Sequence, residues 1–140
     1  MARYLVDTNV LSEALKPEPD ARALRWLRDH EREIAVDPII LGEIWHGILI
    51  VPRGKRRSRM EAWFHEGVSR LECVPWDAAV GMTWAGLLAG LREKGRTMPV
   101  RDGLIAATAL AHGLTGATRN TRDFRNAGLS LVDPFAVRPQ

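Results

Sequence analysis

Five short apolar segments with the character of β-strands alternate with helical segments along this chain. The candidate strands span residues 3–6, 33–36, 71–74, 114–118 and 129–132. Strands that alternate with helices are typical of a parallel sheet covered by helices on both faces. We therefore predict an α/β fold whose central sheet is mostly parallel and has about five strands.

Capping and helix-breaking residues indicate where the intervening helices begin and end. Asn9 or Thr8 can cap the first helix, and Asp20 and Asp77 are predicted N-caps of later ones. The predicted helices run from residue 8 or 9 to about 16, from 20 past 27, from 38 to 51, from 55 towards 68, from 77 to about 94, and from 102 to about 112. The helix from 38 to 51 is apolar almost all round, so we expect it to be buried.

Length and composition favour one globular domain over residues 1–140. The chain is 46% hydrophobic, with a net charge of +3 and a pI of about 9.6, which permits nucleic-acid binding without requiring it. Cys73 is the single cysteine. It excludes an internal disulfide, fits a reducing cytoplasm and is predicted to be a packed core thiol. Asp7 interrupts the N-terminal apolar run, so we expect neither a signal peptide nor a membrane span.

Four acidic residues lie in four separate apolar segments. They are Asp7, Glu43, Asp102 and Asp123. Burying a carboxylate is costly unless a cation or hydrogen bonds compensate it. Four such residues suggest that the fold gathers them around a metal, and oxygen ligands suit Mg²⁺ or Mn²⁺. An acidic metal pocket in a basic chain predicts metal-assisted cleavage of a phosphodiester.

The predicted topology lets these acids meet at one edge of the sheet. Asp7 follows the first strand and Asp123 follows the fourth, and ligands of parallel sheets bind beyond the carboxyl ends of strands. Asp102 lies at a helix start, and Glu43 lies one turn into its helix. All four are therefore candidate metal ligands and catalytic residues.

Each acid also has a structural alternative. Asp7 and Asp102 can be helix N-caps, and Asp123 can be a turn residue. Glu43 is the hardest to explain in this way. The rival interpretation for Glu43 is an ion pair with a structural arginine.

The motifs around these acids, taken together, strongly resemble those of the PIN-domain family. They are DTNVLSE at 7–13, Glu43, RDGLIAATA at 101–109 and TRNTRDF at 118–124. More narrowly, the chain resembles the VapC toxins of bacterial VapBC toxin–antitoxin modules, including the FitB-like branch. This resemblance implies a three-layer α/β/α fold and a Mg²⁺- or Mn²⁺-dependent endoribonuclease.

The resemblance also implies residue roles and partners. The four acids fall on the family's acidic quartet, and Thr8, Asn9 and Asn120 match its supporting polar positions. Family members pair with a VapB-like antitoxin, which inserts a C-terminal segment into the acidic pocket, and they form homodimers. Operator DNA is bound through the antitoxin.

Arginines near the acids are candidate contacts for RNA phosphates: Arg101, Arg119 and Arg122. The denser basic cluster at residues 53–59 is equally consistent with a solvated face. Two other functions remain open at this point. One is a non-catalytic binding module, and the other is a phosphoacceptor receiver domain, which needs a lysine that this chain lacks after Lys94.

Overall fold

The computed structural model describes residues 1–136, and these residues form five strands and seven α-helices. The strands are Tyr4–Val6 (β1), Ile34–Val36 (β2), Glu72–Cys73 (β3), Thr115–Ala117 (β4) and Leu131–Val132 (β5). The helices are Thr8–Leu11 (α1), Ala21–Asp29 (α2), Pro38–Leu49 (α3), Lys55–Glu66 (α4), Ala78–Glu93 (α5), Val100–His112 (α6) and Thr121–Phe124 (α7). Three short 3₁₀ turns cover Ser12–Leu15, Val68–Arg70 and Arg125–Ala127.

The five strands form one parallel sheet in the order β3-β2-β1-β4-β5. β1 is central, and its Leu5 is in register with Ala35 of β2 and with Gly116 of β4. The predicted α/β fold with a parallel five-stranded sheet is therefore confirmed. The order reverses on the two sides of β1, which is where open α/β sheets form ligand crevices.

The core lies between the sheet and the helices that cover it. Leu5 and Val36 contribute from the strands, and Ile40, Ile44 and Ile48 contribute from one face of α3 at spacings of four residues. The expectation that α3 would be buried is met only on this face, because Pro38, Gly42, His46 and Leu49 of the same helix are exposed. No helix within residues 1–136 is long and apolar enough to cross a membrane.

Helix direction brings the starts of three helices to the carboxyl edge of the sheet. α1 and α3 follow β1 and β2 directly, so both begin at that edge. α6 precedes β4 and runs antiparallel to it, so α6 also begins there. Asp20 and Asp77 cap α2 and α5 through their side chains, as predicted.

Four local predictions differ from the structure. The cap of α1 is Asp7, as the structural alternative for that acid predicted, rather than Thr8 or Asn9, and that helix ends at Leu11, before the 3₁₀ turn. Asp102 lies in the first turn of α6 behind an N-cap at Pro99. Cys73 is exposed rather than packed in the core, because it lies on the edge strand β3, both of whose residues are exposed.

Candidate active site

Asp7 is the buried anchor of the carboxylate cluster. It is 2% exposed and follows β1, and its backbone N–H donates to the carbonyl oxygen of Ala117 on β4 at 2.9 Å. Its Oδ1 accepts a hydrogen bond of 2.8 Å from the N–H of Thr8, and its Oδ2 accepts one of 2.8 Å from the hydroxyl of Thr118. The strand end and the helix cap together fix both carboxylate oxygens.

Glu43 and Asp102 meet Asp7 around the guanidinium of Arg101. Nε of Arg101 donates to Oε2 of Glu43 at 2.7 Å, and Nη1 donates to Oδ1 of Asp102 at 3.0 Å. Nη2 donates to Oδ1 of Asp7 and to Oε1 of Glu43. Three carboxylates, one directly after β1, one on α3 and one on α6, therefore surround one cation at the carboxyl edge of the sheet.

These contacts change the proton affinities of the partners. Burial alone would raise the pKa of Glu43, but hydrogen bonds from Arg101 and Thr8 outweigh it, so this pKa lies below its usual range. Burial alone would lower the pKa of Arg101, but the carboxylates of Glu43 and Asp7 outweigh it and raise that pKa. The pairing therefore favours an ionised Glu43 beside a permanently charged Arg101.

The predicted pairing of Glu43 with a structural arginine is thus present in the structure. This arginine is Arg101, which was predicted from the sequence to contact RNA phosphates. The ion pair and the shared acidic pocket are not exclusive alternatives, because Arg101 contacts three acids at once.

The supporting polar residues form a small network beside Asp7. The amide nitrogen of Asn9 donates to Oδ2 of Asp7 at 3.4 Å and to the hydroxyl oxygen of Thr118 at 3.3 Å. Asn120 contributes its backbone N–H to the same hydroxyl oxygen at 3.1 Å. Thr8 places its hydroxyl 3.5 Å from Nη2 of Arg101.

Thr118 is a functional position that the sequence reasoning missed, although it lies within the TRNTRDF motif. Thr118 follows β4, which lies beside β1 in the sheet. The available signal was a polar residue directly after a buried strand, at the edge where Asp7 also lies.

Within residues 1–136, no hydrogen bond or ion pair joins the Asp123 side chain to Arg101, which holds the other three acids. Asp123 is exposed on the short helix α7, and its backbone N–H donates to the carbonyl oxygen of Asn120. Arg119 and Arg122 are also exposed on this side. The guanidinium of Arg119 lies 4.0 Å from the ring centre of Phe135, in a cation–π contact.

A further buried acid, Asp37, contacts two of the helices that carry the cluster. It is 0% exposed, caps α3 through the N–H of Ile40 at 2.9 Å, and accepts a hydrogen bond of 2.6 Å from the hydroxyl of Thr108 on α6. Burial raises the pKa of Asp37 despite these hydrogen bonds. Asp37 therefore joins the two helices that carry Glu43 and Asp102.

The donor chemistry of the cluster fits a hard divalent cation, whereas its present spacing accommodates a guanidinium. Carboxylate oxygens from three elements already face one positive charge, and Mg²⁺ and Mn²⁺ prefer such ligands. Within residues 1–136, no three acidic, histidine or cysteine side chains are grouped to hold a metal as they stand. The guanidinium of Arg101 occupies the space between the three carboxylates.

Comparison with known proteins identifies the family. The PIN domain matches residues 4–129, which contain all four predicted acids. The chain belongs to the PIN domain family. The resemblance drawn from the motifs is therefore confirmed.

Two relatives and one solved structure match nearly the whole chain. "VapC ribonuclease Y4jK" of Sinorhizobium fredii is 35% identical over 94% of this chain and 96% of its own length. "Toxin FitB" of Neisseria gonorrhoeae is 31% identical over 94% of this chain and 97% of its own length. A chain in the structure of FitAB bound to the IR36 DNA fragment superimposes with a TM-score of 0.90 at 28% identity, covering 97% of this chain and 98% of that chain. This PIN domain is thus similar to VapC and FitB proteins along its length.

Proposed function

We propose that this PIN domain is a metal-dependent endoribonuclease that acts as the toxin of a type II toxin–antitoxin module. The observation that carries the proposal is the convergence of Asp7, Glu43 and Asp102, from three separate elements, around one cation. The similarity to a VapC ribonuclease over most of both chains supports the activity.

We assign the metal-holding role to Asp7, Glu43 and Asp102, with Asp123 as a fourth acid supplied from α7. A bound Mg²⁺ or Mn²⁺ would polarise the scissile phosphate and lower the pKa of the attacking water. Asp7 provides the fixed ligand, because Thr8 and Thr118 hold its two oxygens. Glu43 is half-exposed, so it can also accept a proton from the attacking water.

Arginines beside the pocket provide the contacts for RNA. Arg119 and Arg122 are exposed near Asp123, and Arg101 lies among the acids. Such contacts to phosphates position the strand without reading its sequence. An RNA substrate places the proposed activity in the cytoplasm.

The proposed partners follow from the relatives. The similar chain in FitAB was solved with a DNA fragment. We propose that this chain likewise pairs with a VapB-like antitoxin and that operator DNA is bound through that antitoxin. We further propose a homodimer, since Met82 and Leu88 leave apolar surface exposed on α5.

The test is cleavage of a pooled, labelled RNA by the purified, antitoxin-free protein. Reactions contain Mg²⁺, Mn²⁺ or chelator, and they compare the wild type with Asp7→Asn, Asp102→Asn and Asp123→Asn. Asp29→Asn is the matched control, because Asp29 is an exposed acid on α2. We expect metal-dependent cleavage that the Asp7 and Asp102 variants lose and that the control retains.

Two outcomes would contradict the proposal. Cleavage that survives chelation, or that survives both substitutions, would show a contaminant or a different site. Folded protein that binds RNA but never cuts it would favour the non-catalytic binding module. Full activity of Asp123→Asn would remove Asp123 from the proposed set while leaving the other three acids in place.

A further inference from the structure

Arg101 is the one cationic side chain that the described structure places inside the carboxylate cluster. Its guanidinium bonds to three acids from three elements, and it also lies 3.5 Å from the hydroxyl of Thr8. A side chain that only approaches RNA from the rim would not need such contacts. Arg101 is therefore positioned to act on the cluster itself.

The oxygens that Arg101 holds are the same oxygens that a divalent cation would need. Each carboxylate offers about four lone-pair positions. The oxygens of Asp7 already accept from Thr8, Thr118 and Asn9, and Arg101 donates to both of them. A metal ion can gain Asp7 as a ligand only if one of these donors leaves.

Of these donors, Arg101 is the one that is free to leave. The Thr8 donor is backbone within a helix, and Thr118 is buried. Asn9 is held by two further hydrogen bonds, since its amide nitrogen donates to Thr118 and its amide oxygen accepts from the N–H of Arg119. The side chain of Arg101 is 30% exposed and lies on the first turn of α6. A long, flexible side chain at this position can swing into solvent without disturbing the helix.

We propose that Arg101 is a built-in competitor of the metal: it pairs with Asp7, Glu43 and Asp102 in the metal-free protein and is displaced when a divalent cation binds. This inference rests on the proposed function, because it assumes that these acids bind metal. The exchange trades a singly charged guanidinium for a doubly charged ion. It also releases a positive side chain beside the site, where RNA phosphate arrives.

Competition predicts opposite effects on metal binding and on the metal-free fold. Removing the guanidinium frees the carboxylate oxygens and removes a positive charge, so Mn²⁺ should bind Arg101→Ala about tenfold more tightly, which corresponds to about 1.4 kcal/mol. The metal-free variant should melt at a lower temperature than the wild type, since three carboxylates then repel one another. Mn²⁺ should therefore raise the Tm of the variant by more than it raises that of the wild type.

The experiment titrates Mn²⁺ into metal-free wild type, Arg101→Ala, Arg101→Lys, Asp7→Asn and Arg70→Ala by calorimetry, with a melting curve for each. Arg70 is an exposed arginine away from the cluster, so its variant controls for the change in net charge. Arg101→Lys keeps the positive charge but lacks the planar guanidinium that bonds to several carboxylates at once. The affinity of Arg101→Lys for Mn²⁺ should fall between those of the wild type and Arg101→Ala.

A second measurement follows the wild type directly, in case Arg101→Ala does not fold. In ¹⁵N-labelled protein, the Nε–Hε resonance of Arg101 reports its hydrogen bond to Glu43. This resonance is assigned by its absence in Arg101→Lys. Addition of Mg²⁺ should shift it with the same saturation curve as the backbone amide of Thr8.

The outcomes separate this inference from the proposed function. Suppose that Mn²⁺ binds the wild type and that Asp7→Asn loses this binding, but that Arg101→Ala binds Mn²⁺ no more tightly than Arg70→Ala does. The proposed competition would then be wrong, whereas the proposed metal site would be supported. An Arg101 resonance that does not move at saturating Mg²⁺ would likewise overturn the competition. If Mn²⁺ does not bind the wild type or any variant, the metal-dependent function itself is wrong.

Discussion

Asp7 is the most constrained residue of the site, and its constraint comes from two directions. The backbone of β1 and the cap of α1 fix Oδ1, whereas Thr118 from the neighbouring strand fixes Oδ2. Both oxygens of Asp7 are thus held in place independently of the longer side chains around it.

Thr118 provides a test of this preorganisation. Thr118→Val removes the hydroxyl that donates to buried Asp7 and leaves that oxygen less satisfied. We expect a loss of about 1.5–3 kcal/mol in the free energy of unfolding, typical of hydrogen bonds to charged groups, together with weaker Mn²⁺ binding. Urea denaturation and calorimetry measure the two effects.

Two further variants make the Thr118 result interpretable. Thr118→Ser keeps the hydroxyl and should retain most of the stability and metal affinity. Thr115→Val, at the other end of β4, controls for the loss of a threonine hydroxyl in this strand. A loss in Thr118→Ser that Thr118→Val does not show would mean that packing of the methyl group, rather than the hydrogen bond, matters there.

At the scale of elements, Asp37 links the helices that carry Glu43 and Asp102. Its two oxygens serve different helices: one caps α3 and the other accepts from Thr108 on α6. Because Asp37 is fully buried, a shift between these helices would break a hydrogen bond that water cannot replace. The spacing of the carboxylates therefore depends on an acid outside the cluster.

The raised pKa of Asp37 predicts how stability depends on pH. An acid whose pKa is higher in the folded state stabilises the protein below its unfolded pKa, near 3.8, and this contribution is lost as the pH rises through the folded pKa. Asp37→Asn cannot titrate. The stability of the wild type relative to Asp37→Asn should therefore fall as the pH rises from about 4 towards neutrality. The fall should be about 1.4 kcal/mol for each pH unit by which the folded pKa exceeds the unfolded pKa.

Urea denaturation of both proteins across this pH range checks the prediction. Asp77→Asn is a suitable control, because Asp77 also caps a helix but is exposed. A stability difference between wild type and Asp37→Asn that stays constant with pH would contradict the raised pKa.

The same elements show what the sequence could and could not predict. Alternating patterns and capping residues predicted five strands, their parallel pairing and the helices that begin with Asp20 and Asp77, since these signals are local. The partner of Asp37 was not predictable, because Thr108 lies 71 residues away. Cys73 was placed in the core because its apolar neighbours gave no sign that β3 is an edge strand.

The site shows the same division between local signals and long-range contacts. Asp7, Glu43 and Asp102 were expected to share an edge of the sheet, and the structure brings them together around Arg101. The identity of that arginine as their common partner depends on how α6 is rotated against β1 and α3. No local pattern encodes this rotation.

At the scale of the whole molecule, acidic residues converge at one site while the net charge stays positive. We expect Arg122→Ala to weaken binding of single-stranded RNA to the non-cleaving Asp102→Asn protein. The slope of log K against the logarithm of the salt concentration should also become shallower by about 0.7, because the variant neutralises one fewer phosphate. Arg119→Ala should have a smaller effect, because the guanidinium of Arg119 is engaged with Phe135.

Fluorescence titrations at several salt concentrations measure both slopes, with Arg70→Ala as the control for net charge. An unchanged slope in Arg122→Ala would place the RNA elsewhere on the basic surface. The cluster at residues 53–59 would then be the next surface to test.

Metal binding should stabilise the entire domain, because its three proposed ligands lie directly after β1, on α3 and on α6. A ligand that binds only the folded state adds about 2.7 kcal/mol at a concentration one hundred times its Kd. For a domain of 140 residues, this corresponds to a rise in Tm of roughly 9 °C. Differential scanning calorimetry with and without Mn²⁺ measures the rise, and a chelator should reverse it. Asp7→Asn should abolish the rise and Asp29→Asn should retain it, since a metal that bound exposed acids nonspecifically would stabilise both variants equally.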